Sequence, residues 1–210
     1  MSRRAIWVCI YAVAMAAVES AVVVYLRALH PVDAPVAALL AVIPGRLISI
    51  EVGREAATLV MLLAVAMLAG RDRWERFLVF ALAFGIWDIF YYVWLWVFIR
   101  WPPSLLTWDV LFLIPVPWIA PVLAPLIVSS GLVAGALSGL ALHARGATPR
   151  LLPLVWILAG AGAVLVLLSF TLDYRYVVDR LEPSSFRWGL FGTGVALAVG
   201  AFVGGRRAPA

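Results

Sequence analysis

The sequence predicts an all-α integral membrane protein, a single polytopic bundle of about six transmembrane helices over residues 1–210. Of the 210 residues, 65% are apolar and only 13% are charged, and the mean hydropathy is +1.06. These values lie outside the range of soluble globular domains and within that of membrane proteins. Long apolar runs recur along the chain, and arginines gather in alternate loops between them.

Each predicted span is an apolar run that could cross a hydrocarbon core of about 30 Å at 1.5 Å per residue. Charged turns, glycines or prolines bound the runs. The predicted spans are Ala5–Arg27, Leu47–Gly70, Phe77–Arg100, a fourth within Thr107–Leu142, Leu151–Leu172 and Trp188–Gly205. Between the first two spans, the short apolar stretch Val36–Ile43 is expected to lie in the interface or to dip into the bundle.

The fourth span is predicted to be broken by proline. A short apolar segment, Thr107–Ile114, is followed by Pro115, Pro117, Pro121 and Pro125. Proline removes a helical hydrogen bond and clashes with the preceding turn, so a discontinuous or kinked helix is expected. In this interpretation Thr107 is a possible N-cap, and Trp118–Leu142 completes the crossing.

The distribution of arginine predicts the topology. Nine arginines lie in the termini and loops of one side, where the only acids are Asp72 and Glu75. By the positive-inside rule, both termini are expected in the cytoplasm and the protein in the inner (plasma) membrane. The arginines lie at helix ends, so the expected partner is the lipid bilayer and no nucleic acid is expected.

Two sets of small residues recur every four positions and predict packing seams, either within the bundle or in a homodimer. One is Gly131, Gly135 and Gly139 in the fourth span, and the other is Gly192, Ala196, Gly200 and Gly204 in the sixth. The run 159–162 in the fifth span, Ala-Gly-Ala-Gly, is interpreted in the same way.

Several reaction classes are excluded by composition. The chain has no lysine, which removes Schiff-base chemistry and the lysine of phosphate-binding loops. The single cysteine, Cys9, cannot form an intrachain disulfide or a thiolate metal cage. His30 and His143 are predicted on opposite sides of the membrane, so they cannot share one haem or metal ion. No metal site and no cofactor are identified from the sequence.

The second span carries the most informative polar pattern. At 100° per residue, Glu51, Arg54, Glu55 and Thr58 fall within one stripe about 100° wide. A charged side chain at bilayer depth costs at least roughly 2.5–3.5 kcal/mol, so this stripe must face protein, water or a ligand. It predicts a polar interior in the outer half of the bundle.

Other spans bring polar groups to a similar depth. On the third span, Asp88, Tyr91 and Tyr92 share one face, and in the first span Glu19 is a single polar group on an apolar face. Glu19 needs a partner, for which Arg54 is the natural candidate. Asp109 either stabilises the start of the broken helix or acts as an acid over the pocket.

Four embedded acids against one embedded arginine predict that a carboxyl group is protonated or binds a cation. The leading hypothesis is an outer-half pocket that binds or translocates protons, cations or a small cationic solute, with a homodimer or partner subunit expected. One alternative is a membrane enzyme acting on a lipid-linked substrate, with a metal held by Glu51, Glu55 and Asp88 and with Arg54 facing a phosphate. Others are an accessory subunit, or a closed ion-pair network that only sets helix register.

Overall fold

Six helices, each long and apolar enough to cross a membrane, make up most of the described chain. The computed structural model describes residues 3–29, 45–146, 153–175 and 185–207. The helices are α1 (Arg3–Leu29), α2 (Gly45–Ala69), α3 (Arg73–Ile99), α4 (Leu123–His143), α5 (Pro153–Thr171) and α6 (Trp188–Arg207). The prediction of an all-α, multi-pass bundle is therefore confirmed. The Val36–Ile43 stretch and His30 lie outside the described residues.

The turn between α2 and α3 shows why these helices end where they do. Oδ1 of Asp72 accepts hydrogen bonds of 2.9 Å from the backbone N–H groups of Trp74 and Glu75, which caps the start of α3. At Gly70, an added Cβ atom would lie 2.6 Å from the backbone nitrogen of Arg76. The turn is therefore closed only because residue 70 has no side chain.

Helix α3 is the central element, because α1, α2 and α4 all pack against it. Where α3 crosses α4, a Cβ atom on Gly85 would lie 2.7 Å from the carbonyl oxygen of Ser129 and 2.9 Å from Val133 Cγ2. A glycine at this point lets the two backbones approach closely, as in other membrane helix pairs. A buried apolar cluster joins α3 to α1 and α2 through residues such as Ala12, Leu62 and Ala83.

Helices α5 and α6 form a second close pair. A Cβ atom on Gly162 would lie 2.7 Å from the Gly194 carbonyl oxygen, and one on Gly194 would lie 2.8 Å from the Gly162 carbonyl oxygen. The predicted seam in the fifth span is thus observed at Gly162. The ladder on α6 is not a seam within the described bundle, since Cβ atoms on Gly192, Gly200 and Gly204 would meet no heavy atom of a described residue within 4 Å. A seam between two copies of the chain on this face stays a prediction.

The predicted ladder on α4 is only partly a packing seam. A Cβ atom on Gly139 would lie 2.7 Å from Leu78 Cδ2, so this glycine does admit a neighbouring helix. A Cβ atom on Gly135 would be 3.9 Å from Phe202, and one on Gly131 would meet nothing within 4 Å. Because α4 contacts α3 mainly along another face, spacing alone did not identify the buried side.

Between α3 and α4 the chain forms a two-stranded antiparallel hairpin rather than a helical segment. Strand β1 (Trp108–Phe112) pairs with β2 (Trp118–Pro121), with Asp109 opposite Ala120. The helix N-cap expected at Thr107 is therefore wrong, because the residues that follow it form a strand. The prolines do interrupt the helical path as predicted, and α4 begins at Leu123 after them.

The hairpin reaches deep into the bundle. The Phe112 ring lies 6.2 Å from the Trp87 ring and 6.4 Å from the Phe84 ring, centroid to centroid. Trp87 is about 18 Å along α3 from its end at Ile99, at 1.5 Å per residue. Non-helical backbone at such depth is stable only where protein surrounds it or where it lines a cavity.

The hairpin also joins the two halves of the bundle. Phe112 of β1 belongs to the apolar cluster of α1, α2 and α3, whereas Ala120 of β2 belongs to that of α5 and α6. The Trp118 ring lies 5.4 Å from the Phe112 ring and 6.3 Å from the Phe170 ring. Burial of these aromatic residues holds the hairpin inside the bundle.

Candidate functional site

A cavity of about 100 Å³ lies between α1, α2, α3 and β1, and all eight residues singled out in the sequence line it. They are Glu19, Glu51, Arg54, Glu55, Asp88, Tyr91, Tyr92 and Asp109. This volume exceeds several-fold the roughly 10–15 Å³ that a single ordered water requires. The helical spacing therefore identified side chains that share one space.

Arg54 is the centre of an ion-pair cluster on one side of the cavity. Its guanidinium contacts Glu19 of α1, and its Nε lies 2.7 Å from Oε2 of Glu51, one turn earlier on α2. The Thr58 hydroxyl donates a hydrogen bond to Oε1 of Glu19. The predicted pairing of Arg54 with Glu19 is thus confirmed, and a single cation serves two carboxylates.

Two other carboxyl groups lie at the cavity with neutral partners only. Oε2 of Glu55 accepts a 2.8 Å hydrogen bond from the backbone N–H of Leu113, just beyond β1. Oδ2 of Asp88 accepts a 2.7 Å hydrogen bond from the Ser129 hydroxyl of α4. Among the described residues, no donor is bonded to the second oxygen of either group, yet the exposed fractions of Glu55 and Asp88 are only 7% and 9%.

Asp109 closes the cavity from the hairpin. Its Oδ2 accepts a 3.0 Å hydrogen bond from the hydroxyl of Tyr92, and only 6% of the residue is exposed. Burial raises the pKa of Asp109 to about 7, while the nearby Arg27 charge and the Tyr92 hydroxyl favour the carboxylate and limit the rise. Of the two roles considered for Asp109, the acid over the pocket is the one that its position supports.

The charges around the cavity do not balance. Among the described residues, five carboxyl groups line it, those of Glu19, Glu51, Glu55, Asp88 and Asp109. Two guanidinium groups of described residues line it, and one of these, that of Arg27, also lies 4.1 Å above the Trp101 ring. If all seven of these groups were ionised, they would carry a formal excess of three negative charges. Such an excess in a buried site favours a bound proton or cation.

Aromatic rings form much of the remaining wall. Trp87, Tyr91 and Phe112 line the cavity beside the carboxyl groups, and the Trp87 ring centroid is 6.4 Å from that of Tyr91. Trp87 is 7% exposed, and its indole N–H has no acceptor in the part of the chain that the structure describes. The cavity therefore combines negative charge with π-electron surface.

Three contributions to the site were not predicted from the sequence. Ser129 is one of three serines in an otherwise apolar span, and nothing in its spacing related it to Asp88. The backbone N–H of Leu113 reaches Glu55 only because the hairpin folds inward. Arg27, at the end of the first predicted span, was not among the candidate residues, but it lines the cavity. The only sequence signal for any of these contacts is the presence of serine hydroxyls within an apolar helix.

The metal set considered for the enzymatic alternative does not assemble. Glu51, Glu55 and Asp88 line the same cavity, but they do not bring three ligand atoms within 4.8 Å of one another. Within residues 3–29, 45–146, 153–175 and 185–207, the one group with that spacing is Asp72, Glu75 and His143, on the arginine-rich side. The Arg54 guanidinium, proposed to face a phosphate, is occupied by Glu19 and Glu51.

No family model matches the chain, and neither a curated protein nor a solved structure is significantly similar to it. The functional conclusion therefore depends on the chemistry of the cavity.

Proposed function

We propose that the protein binds a positively charged ligand in the cavity, either a proton, an inorganic cation or a small cationic solute, and moves it across the membrane. The observation that carries the proposal is the set of three buried carboxyl groups, Glu55, Asp88 and Asp109, whose direct partners among the described residues are all neutral donors. A buried carboxylate without a cationic partner is costly, and a cationic ligand removes that cost.

The two groups of acids have different proposed roles. Glu55 and Asp88 bind the ligand, because each has an oxygen without a hydrogen-bond donor among the described residues. Glu19 and Glu51 neutralise Arg54, and the Glu19 pair joins α1 to α2, so both acids act as positioning residues. Asp109 lies on the hairpin that covers the cavity, and it binds the ligand on that side.

A direct test compares Glu55→Gln and Asp88→Asn with the intact protein after reconstitution into vesicles. These changes keep side-chain shape and remove charge, so we expect a large loss of proton or Na⁺ uptake and of cation binding measured by calorimetry. Matched controls are Glu75→Gln and Asp72→Asn, which remove carboxyl groups on the arginine-rich side. Asparagine still caps a helix, so α3 should start normally in the second control.

The outcome separates three cases. If neither cavity variant changes uptake or binding, the proposed function is wrong. If binding is lost in the variants but the intact protein transports nothing, the site binds a cation without translocating it. If the control variants have effects as large as the cavity variants, the loss is not specific to the cavity and the proposal fails.

A further inference from the structure

We propose that the cavity selects a small organic cation carrying an ammonium or guanidinium group over a bare metal ion. This inference rests on the proposed function and specifies the ligand class of the same site. The observation behind it is the make-up of the cavity wall, which contains carboxyl groups that do not converge on one point together with aromatic rings.

The spacing of the carboxyl groups is the first argument. A calcium ion takes six to eight oxygen ligands at roughly 2.3–2.6 Å, so the carboxylate oxygens around it must converge on one point. In the described part of the chain, no three cavity carboxyl groups have ligand atoms within 4.8 Å of one another. An organic cation has several N–H donors that point in different directions, and it can therefore reach carboxyl groups that lie apart.

The available acceptors form the second argument. Glu55 of α2 and Asp88 of α3 each have one oxygen that accepts no hydrogen bond from a described residue, and both side chains are more than nine-tenths buried. They lie on different helices, whose facing sides line the cavity. A ligand with two or more N–H donors satisfies both oxygens at once, and charge-assisted bonds of this kind are the stronger ones.

The aromatic wall is the third argument. Trp87 and Tyr91 of α3 and Phe112 of β1 line the cavity next to these acids. The electron-rich face of an aromatic ring attracts ammonium and guanidinium groups by roughly 0.5–2 kcal/mol, with tryptophan the strongest. The same rings present few lone pairs to a metal ion, which prefers oxygen ligands.

The experiment measures the affinity of the purified full-length protein for four probes, methylammonium, methylguanidinium, Na⁺ and Ca²⁺, all as chloride salts. We expect an organic cation to bind at least about tenfold more tightly than either metal ion. Trp87→Leu removes the ring, and it should lower methylammonium affinity by about tenfold while lowering Na⁺ affinity less. Trp87→Phe keeps an aromatic ring and should retain most of the affinity.

Trp96→Leu is the matched control, because Trp96 is an exposed tryptophan on the same helix that does not line the cavity. Its methylammonium affinity should equal that of the intact protein. A cooperative thermal unfolding transition in the absence of ligand shows that a Trp87 variant is folded, and this readout does not depend on its affinity for methylammonium. If Trp87→Leu does not fold, the comparison of Trp87→Phe with the intact protein still measures how the ring at residue 87 affects affinity.

Two outcomes would overturn the inference. One is binding of Na⁺ or Ca²⁺ at least as tight as that of both organic cations, and the other is an equal loss of all ligands in Trp87→Leu. Either result leaves the proposed function intact if Glu55→Gln and Asp88→Asn still abolish cation binding. If those two variants also bind every probe normally, the proposed function fails together with the inference.

Discussion

The backbone N–H of Leu113 donates a 2.8 Å hydrogen bond to Oε2 of Glu55, and this contact joins the hairpin to the second helix. A carboxyl group inside the bundle thus accepts a hydrogen bond from a peptide N–H group outside the helices. Hydrocarbon would offer this N–H group no acceptor. The same carboxyl group is one of the proposed cation ligands. Ligand binding and the position of the hairpin are therefore expected to be linked.

Removing the acceptor at residue 55 should loosen the hairpin. Glu55→Leu leaves the Leu113 N–H buried without a partner, at a cost of about 1–3 kcal/mol, whereas Glu55→Gln keeps a carbonyl acceptor. Hydrogen exchange of the segment 108–121, followed by mass spectrometry, should be faster in the leucine variant and nearly unchanged in the glutamine variant. Equal exchange in the two variants would show that this bond does not hold the hairpin.

Loss of Arg54 should destabilise the fold because two buried carboxylates would remain. Breaking a buried ion pair costs roughly 3–5 kcal/mol of stability. Because the Arg54 side chain is 25% exposed, we expect the loss of stability in Arg54→Met to lie near the lower end of this range. Adding Glu19→Gln and Glu51→Gln removes the unpaired charges and should restore much of the stability. Unfolding in mild detergent measures both, and a triple variant no more stable than Arg54→Met would contradict the ion-pair interpretation.

The approach of α3 to α4 should depend on Gly85. In Gly85→Ala the new Cβ atom would lie 2.7 Å from the Ser129 carbonyl oxygen, so α4 must move away from α3. This movement should weaken the hydrogen bond that the Ser129 hydroxyl donates to Asp88. We expect a loss of about 1–3 kcal/mol. Gly131→Ala is the control, since its Cβ atom would meet nothing within 4 Å, and better helix propensity should stabilise it by up to about 1 kcal/mol.

Thermal unfolding of the two alanine variants provides the measurement. The difference between them isolates the contact with α4, because the gain in helix propensity is common to both. Equal stability of Gly85→Ala and Gly131→Ala would mean that α4 does not depend on the close approach at residue 85.

Stability should fall as the pH rises through the range in which Asp109 ionises. Its pKa is about 7 in the folded protein and 3.8 as an ordinary aspartate, so the unfolded chain releases this proton first. The folded state is therefore progressively disfavoured between about pH 4 and pH 7, and the full penalty persists above that range. In Asp109→Asn the side chain cannot ionise, and this part of the pH dependence should disappear.

The comparison requires unfolding measurements at several pH values for the intact protein, Asp109→Asn and the control Asp72→Asn. The control should keep the decline toward pH 7, because Asp72 is exposed and its backbone hydrogen bonds lower its pKa instead. A decline of the same size in Asp109→Asn and in the intact protein would assign the pH dependence to other groups.

The sequence by itself determined the class of fold, the number of spans and the identity of the charged interior. Charged side chains and unpaired peptide groups are costly in hydrocarbon, so each span must be a long apolar helix with its polar residues turned away from lipid. The length of a span and the angular position of its polar residues are local properties, and both can be read from the sequence. This is why Glu19 and Arg54 could be paired before their contact was seen, and why eight chosen side chains line one cavity.

Only the tertiary structure decided how the hairpin fills the bundle and which neutral groups complete the site. The prolines after Ile114 showed that a regular helix fails there, but strand pairing and depth depend on distant partners such as Phe84 and Phe170. The Ser129 hydroxyl can donate to Asp88 because Gly85 has no side chain and α4 can approach α3 closely. This contact depends on how the two helices pack, so the sequence of either helix alone does not predict it. Contacts between elements depend on packing geometry, whereas membrane insertion depends mainly on composition along a single segment.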